Sequence, residues 1–543
     1  QHGLRYRFRV DIRGVATDTA DLWCTGATAD SRWSVVLDPA RTNPPGWAAT
    51  PVPRLARSTD AVLYELHVRD LTIDPASGVP PAERGRYPGA VRRGAVRPDG
   101  KAAGIDHLLR LGITHVQVLP IQNFNPDHSR DYNWGYETTL FDVPEEQYST
   151  RPEDPVAVVR DAKAMVQGFH RAGIGVVLDV VYNHTVPSSG PASPFEATVP
   201  WYWFRTDLEG RILNESGVGN ALADDRSMAR RWMLESLTYW VREFRVDGFR
   251  FDLMGMFTPE TVRAIEATLR RIRPDLLLHG EPWTGGGPVR FGVGAQRGTR
   301  MAVFNDRFRG ALRGDLDGDG RGFAAGAGDP AAVRDALAGS PSIAADPLES
   351  LNYVSAHDNL TLRDKFSRTA PDTVPGAEAR MFRLSAAAVL LAQGIAFLEG
   401  GVEIGRTKAG NPNSYNAGDG VNRFDWTRAA RFDDDAEWLS GMVALRRAHP
   451  AFRLATRSER DRNVSFPTEG LPDGVVAMRI REVPGEPWRD LLVVLNGRTV
   501  PAHWTLPAGR WRRVADGNRV GDTGLVGETA DIPALGFVVL AVP

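Results

Sequence analysis

The sequence has a single cysteine, Cys24, which excludes an internal disulfide and says little about redox compartment. It has no apolar run approaching the ~20 residues that a membrane-spanning helix needs. Neither charge is in excess: 65 Lys and Arg stand against 67 Asp and Glu, a formal net charge of −2. There is therefore no general attraction to nucleic acid or to an anionic membrane. Lysine is scarce and arginine carries nearly all of the positive charge; with the signs balanced, that reads as coding bias rather than a phosphate-binding surface. No His-x-His or His-Glu-x-x-His spacing marks a metal centre. No glycine-rich fingerprint follows the first predicted strand, and no internal repeat or low-complexity linker interrupts the chain. The start, Gln1-His-Gly-Leu-Arg, lacks an initiator Met and a signal-peptide apolar core. A chain already shortened at its N-terminus is expected, and the compartment stays open.

What is present is a strand–helix alternation in a chain of 543 residues, long enough for two or three domains. Tyr6-Arg-Phe-Arg-Val10 and Trp33-Ser-Val-Val-Leu37 alternate apolar and polar residues. Residues 1–50 are read as a partial β segment leaning on the neighbouring domain. From about residue 51 to 450, eight strands are expected at 63–68, 116–121, 176–181, 248–253, 276–280, 301–304, 353–356 and 395–398. Between them, helical spacing recurs at Val156, Val159, Val166 and Phe169, and at Met233, Leu237, Trp240 and Phe244. This predicts an α/β fold, a (β/α)₈ TIM barrel with its site at the C-terminal ends of the strands. Residues 451–543 break into short strands separated by Gly, Pro, Asp and Asn, the pattern of an all-β sandwich.

The stretch that organises the rest is Gly248-Phe-Arg-Phe-Asp-Leu-Met-Gly255. Arg250 and Asp252 lie two residues apart on an apolar strand and so share a face. Charges inside a buried strand are costly unless paired or used. A structural ion pair would suffice for this stretch alone. However, similar strand ends carry Asp179 with Asn183 and His184, Glu281, and His357 with Asp358. Several carboxylates with His and Arg converging at one barrel mouth suit glycoside hydrolysis, in which one carboxylate attacks and another transfers the proton.

Asp179-Val-Val-Tyr-Asn-His-Thr185, Gly248 to Gly255, Gly280-Glu-Pro-Trp283 and Tyr353-Val-Ser-Ala-His-Asp-Asn359 resemble the four sequence regions of the alpha-amylase superfamily. Tyr64-Glu-Leu-His-Val-Arg-Asp70, Tyr132-Asn-Trp-Gly-Tyr136, Ser216-Gly-Val-Gly-Asn220 and Arg406-Thr-Lys with Asn413-Ser-Tyr-Asn416 are similar to type I pullulanases, from about Arg5 to the C-terminus. The resemblance implies a retaining hydrolase of α-1,6-glucosidic bonds. Asp252 would be the nucleophile, Glu281 the general acid/base and Asp358 the carboxylate that binds sugar hydroxyls and distorts the ring. Arg250 and Asp179 would orient the centre, His184 and His357 would hydrogen-bond the sugar, and Tyr136 and Trp283 would offer it aromatic surfaces. Arg406, Asn413 and Tyr415 are carried over as further substrate contacts. Leu253-Met-Gly255 stands where many α-1,4-acting relatives place Lys-His, which favours debranching. The implied partner is an α-glucan (pullulan, amylopectin, limit dextrin or glycogen), with no organic cofactor, nucleic acid or membrane.

The sequence departs from the family pattern in three places. Residues 1–50 match only the later part of a carbohydrate-binding-type β module. Glu137-Thr138 follow Tyr136 where Asn-Pro is usual, and Glu399-Gly-Gly-Val-Glu403 stands where Gly-Glu-Glu is common. Isoamylase-like action, mixed α-1,4/α-1,6 hydrolysis, glucan transfer and a non-catalytic α-glucan-binding protein are the competing functions. Separately, Asp315, Asp317 and Asp319 alternate in Asp315-Leu-Asp-Gly-Asp-Gly320 like the start of a calcium loop, but no closing Glu follows at the twelfth position. Calcium and a solvated acidic turn both remain readings of it.

Overall fold

Strands buried on both faces close the middle of the chain on itself. The computed structural model describes residues 2–124, 132–187 and 193–543. Its centre is a closed parallel barrel of β1 (Val62–Leu66), β2 (His115–Val118), β3 (Gly175–Val180), β4 (Gly248–Phe251), β5 (Leu277–Gly280), β6 (Ala302–Phe304), β7 (Ser350–Asn352) and β8 (Ile395–Leu398). Alternate residues serve two layers. Leu63, Val177, Leu277, Ala302, Phe304, Leu351, Ile395 and Phe397 fill the barrel interior. Val62, Tyr64, Val176, Leu178, Phe249 and Phe251 face the surrounding helices. Two residues beyond the last apolar interior position, the same face of a strand reaches the barrel mouth. The parity that buries Val177 and Leu277 also brings in Asp179, His279 and Glu281, and Gly248 leads to Arg250 and Asp252.

The expected helices are present. Pro155–Arg171 begins with proline, and the side chain of Asp154 accepts from Val156 and Ala157 N–H, satisfying donors the helix leaves open. Ser227–Tyr239 continues through a wider turn, Trp240–Phe244, to Arg245 in the left-handed region. The seventh strand differs from expectation: it is Ser350–Asn352, three residues before Tyr353. With Leu351 in the barrel interior, its polar groups face the helix layer and are tied by Asn305 Nδ2 to Ser350 Oγ at 2.8 Å and Asn352 Nδ2 to Gln393 O at 2.8 Å. A search for apolar runs passes over a strand held in this way.

After the barrel, Val464–Ser465, Val475–Arg481, Asp490–Asn496, Gly536–Val542 and Arg512–Asp516 form an antiparallel sheet in that spatial order. Val476, Met478, Val493 and Val539 pack into the barrel's outer core. On the other face Ala477, Leu492, Val494 and Leu540 pack against Trp504, Ala530 and Ile532. The last three come from a second sheet, Ala502–Thr505 paired with Thr529–Ile532. Burial on both faces explains runs such as Leu491-Leu-Val-Val-Leu495. At the N-terminus Arg5–Tyr6 pairs with Ser34–Val35, and Phe8–Ile12 with Val15–Thr19. Among the described residues no helix is long and apolar enough to cross a membrane.

Gly248 shows how tightly β4 and β5 approach. A Cβ there would lie 2.0 Å from the carbonyl oxygen of Leu277, whereas one at Gly310, within the helix Asp306–Arg313, would meet nothing within 4 Å. Gly248→Ala is expected to destabilise by about 3 kcal/mol or prevent folding, while Gly310→Ala stabilises by up to about 1 kcal/mol. Denaturant unfolding of the two variants checks both signs.

Candidate active site

The parallel register sets Arg250 beside Asp179 on β3 and His279 on β5. Arg250 is buried, and its charge is shared among three carboxylates. Nη1 donates to Asp179 Oδ1 at 2.9 Å and to Asp252 Oδ1 at 2.8 Å, and Nη2 donates to Glu281 Oε1. The other oxygen of each acid is also held. Tyr136 O–H donates to Asp179 Oδ2 at 2.6 Å, Asn183 Nδ2 to Asp252 Oδ2 at 2.8 Å, and Leu253 N–H to Glu281 Oε2 at 2.9 Å. The last bond depends on Leu253 adopting φ 40°, a left-handed turn immediately after Asp252 that is costly for a branched side chain.

One cation does not neutralise three buried acids. Burial pushes the Asp179 carboxyl up to about 7 against the pull of Arg250. Burial also raises Glu281 to about 8, again opposed by Arg250 and reinforced by Asp252 and Asp358. Protons are therefore held at this centre near neutral pH.

His357 stands on the opposite wall. Burial disfavours its charge, yet Asp358 and Glu65 raise it to about 9. Its hydrogen bonds agree with an imidazolium: Nδ1 donates to Glu65 Oε1 at 2.8 Å, and Nε2 lies 3.0 Å from Tyr136 Oη, whose own hydrogen goes to Asp179. The His357 and Tyr136 rings stack with centroids 5.2 Å apart. His184 bridges Tyr136 O at 2.8 Å and Asn183 Oδ1 at 2.5 Å, and burial lowers its pKa. A cavity of about 330 Å³ opens over this floor, lined by Glu65, Arg250, Glu281, Trp283, His357 and Asp358, with Asp306, Arg309 and Tyr353 further along. The Asp358 carboxylate is half exposed, and Trp283 is partly buried in the wall.

Asp252, Glu281, Asp358, Tyr136, Asp179, His184, Arg250, Trp283 and His357 are thus brought to one centre. Arg406 is directed elsewhere: it is buried, with Nη2 on Asp70 Oδ2 at 2.8 Å and Nη1 on Gly400 O at 3.1 Å. Asn413 is exposed on a loop. Tyr415, like Tyr136, packs against the cluster of Leu119, Tyr132 and Trp134, and its carbonyl accepts from Trp134 N–H at 3.1 Å. Sequence reasoning missed Glu65, which takes both the backbone N–H (2.6 Å) and Nδ1 of His357. It also missed Lys408, buried beneath Trp134 and bonded to His357 O. Glu65 carried the same signal as Arg250, a lone charge on the interior face of an apolar strand.

A family model described as the pullulanase all-beta domain matches residues 462–519. A pullulanase of Bacillus subtilis is 35% identical over 524 residues, covering 93% of this chain and 72% of that protein. The structure of a pullulanase from Bacillus acidopullulyticus superposes with TM-score 0.95 at 37% identity, covering 99% of this chain and 68% of the other. That of a Paenibacillus barengoltzii pullulanase in complex with maltohexaose and alpha-cyclodextrin gives 0.92 at 36% identity, covering 99% and 86%.

The acidic loop does not fit calcium. Lys365, fully buried, points its ammonium into it, donating to Gly318 O at 2.7 Å and Gly320 O at 2.8 Å and pairing with Asp315. Asp317 is turned away to accept from Asn359 Nδ2 and Leu360 N–H, at 2.8 and 2.9 Å. An ammonium thus takes the oxygens a cation would need, and no group of three His, Cys, Asp or Glu among the described residues is placed to hold a metal. A chelator is expected to leave the melting temperature unchanged in calorimetry; a fall restored by added calcium would show that the ion displaces Lys365.

Proposed function

The chain belongs to the pullulanase family, and we propose that it hydrolyses α-1,6-glucosidic bonds of branched α-glucans with retention, through a glycosyl ester on Asp252. The observation that carries this reading is the single guanidinium of Arg250 gripping Asp179, Asp252 and Glu281, with Asp358 across the same cavity. Asp252 attacks the anomeric carbon as the bond to the 6-oxygen breaks, and that oxygen takes the proton of Glu281. Burial, which keeps Glu281 protonated, suits it to that first step. Glu281, now ionised, then removes a proton from water, which attacks the anomeric carbon and releases Asp252. Asp358 binds the hydroxyls of the distorted ring, and Tyr136 offers a flat surface beneath it. Retention requires the two reacting carboxyls to stand about 5–5.5 Å apart, a separation compatible with both contacting one guanidinium. Pullulan, amylopectin, limit dextrins and glycogen are the proposed substrates.

Maltotriose is the expected product from pullulan, with amylose untouched. Panose-type fragments or cut amylose would instead assign α-1,4 cleavage. Asp252→Asn is expected to abolish turnover while glucan binding survives. Glu281→Gln should lower kcat on pullulan about 10²–10⁴-fold, yet release a rapid first equivalent of fluoride from an α-maltotriosyl fluoride, whose leaving group needs no proton, before slow hydrolysis of the glycosyl ester limits turnover. Wild-type-like rates on pullulan in either variant would reject these roles.

The acid must be protonated in the free enzyme, so kcat/KM on pullulan should fall as pH rises through about 8. With the fluoride that basic limb should disappear. Its persistence would assign the ionisation to another group.

A further inference from the structure

We propose that Asp317 is a positioning residue for Asp358, and that the acidic loop, organised by the buried Lys365 ammonium, exists to place it. This rests on the reading of Asp358 as the carboxylate that engages the sugar. The Asp358 side chain is half exposed, and its ionic neighbour, His357 Nε2, stands 3.5 Å away, beyond a good hydrogen bond. Its direction is therefore set through its backbone.

That backbone is held from both sides. Before Asp358, Glu65 takes His357 N–H at 2.6 Å and Lys408 bonds His357 O. After it, Asp317 Oδ2 accepts from Asn359 Nδ2 at 2.8 Å and Oδ1 from Leu360 N–H at 2.9 Å. Arg313 spans the segment, donating to Val354 O at 3.2 Å and Leu360 O at 2.8 Å. The residue that Asp317 grips is the one that turns the chain: Asn359 has φ 66°, a left-handed conformation that asparagine tolerates and that the two bonds to Asp317 hold in place. If Asn359 relaxes, the peptide joining it to Asp358 rotates and the carboxylate swings from the cavity.

Asp317 has this reach because its own loop is wound around an ammonium. Lys365 collects Gly318 O, Gly320 O and the Asp315 carboxylate, which leaves Asp317, partly buried, facing the segment that carries Asp358. Asp319, exposed in the same loop, serves as the control.

The test is a set of variants assayed on pullulan with melting temperatures measured in parallel. Asp317→Ala is expected to lower kcat about 10- to 100-fold, more than it raises KM, since small misplacements of a reacting group have that effect. Asp317→Asn should retain more activity, because its Oδ1 still accepts from Leu360 N–H and the Asn359 amide can turn its oxygen toward the new NH₂. Asp319→Ala should match the wild type. In an Asp358→Asn background, Asp317→Ala should lower the rate by no more than about twofold, the non-additivity expected when one residue acts through another. The proposal is overturned if Asp317→Ala and Asp317→Asn change only the melting temperature, or if the Asp317 and Asp358 losses multiply. Wild-type kcat in Asp358→Asn would remove the underlying role of Asp358, an outcome distinct from an inert Asp317 beside an essential Asp358.

Discussion

A buried guanidinium governs the centre of this molecule. Arg250 lies inside the barrel, where an uncompensated charge would cost several kcal/mol, so the surrounding strands must deliver anions to it. They deliver three, Asp179, Asp252 and Glu281, and the surplus is where the chemistry resides. One cation stabilises part of the negative charge; burial expresses the remainder as raised proton affinity at Asp179 and Glu281. A fully neutralised site would have no acid ready to give up a proton near neutral pH, and an unpaired one would not fold. The close approach of β4 to β5 at Gly248 and the left-handed turn at Leu253 are local costs of bringing these groups to a single cation.

Beneath Arg250 the barrel interior continues as a polar chain. His279 Nε2 meets Gln117 Oε1 at 2.7 Å, Gln117 Nε2 meets Glu65 Oε1 at 3.3 Å, and Glu65 reaches His357 at 2.8 Å. The two histidines in this chain are opposites. Burial, with Arg250 adding to it, lowers His279 to about 3, whereas Asp358 and Glu65 overcome burial at His357 and raise it to about 9. A neutral imidazole beside Arg250 avoids a second buried cation there. A charged one on the far wall places positive charge against Asp358 and a donor against the Tyr136 hydroxyl.

Much of this was legible in the sequence, because period two on a buried strand is a strong signal. Arg250 and Asp252 betrayed the interior face of β4, and seven of the eight expected strands overlap observed ones. The seventh was misplaced because Ser350 and Asn352 hold it with side-chain hydrogen bonds rather than apolar bulk. Ala502–Thr505 and Thr529–Ile532 leave little trace in the sequence because each alternates over only four residues and draws its stability from Trp504 and Ile532 packing on the neighbouring sheet. Arg406 could not be placed from its motif, since whether a buried arginine faces a ligand or a network depends on Asp70, far away in sequence. The acidic loop left calcium and a solvated turn open for a related reason. Its spacing describes what surrounds a cation, not which cation, and Lys365 lies nearly fifty residues on.

The same limit shows why the C-terminal sheet is more than an appended module. Val476, Met478, Val493, Phe537 and Val539 are buried in the core that contains the helix-facing side of the barrel, while Ala477, Leu492 and Leu540 close a second core with the outer sheet. A sheet with both faces buried cannot be removed without exposing apolar surface on the barrel side, so the outer wall of the catalytic domain is completed from the end of the chain. The helix Ala377–Leu391, which precedes β8, opens on Glu378, Arg380 and Arg383 with Ala379 and Arg380 exposed, but from Leu384 to Leu391 every residue is buried. That second half has the pattern of a helical segment enclosed on all sides, and Met381, Leu384 and Val389 share one buried cluster with Phe537 and Val539 of the sheet. Enclosure of that helix anchors the approach to β8, and β8 closes the barrel against β1, the strand that carries Glu65 to His357.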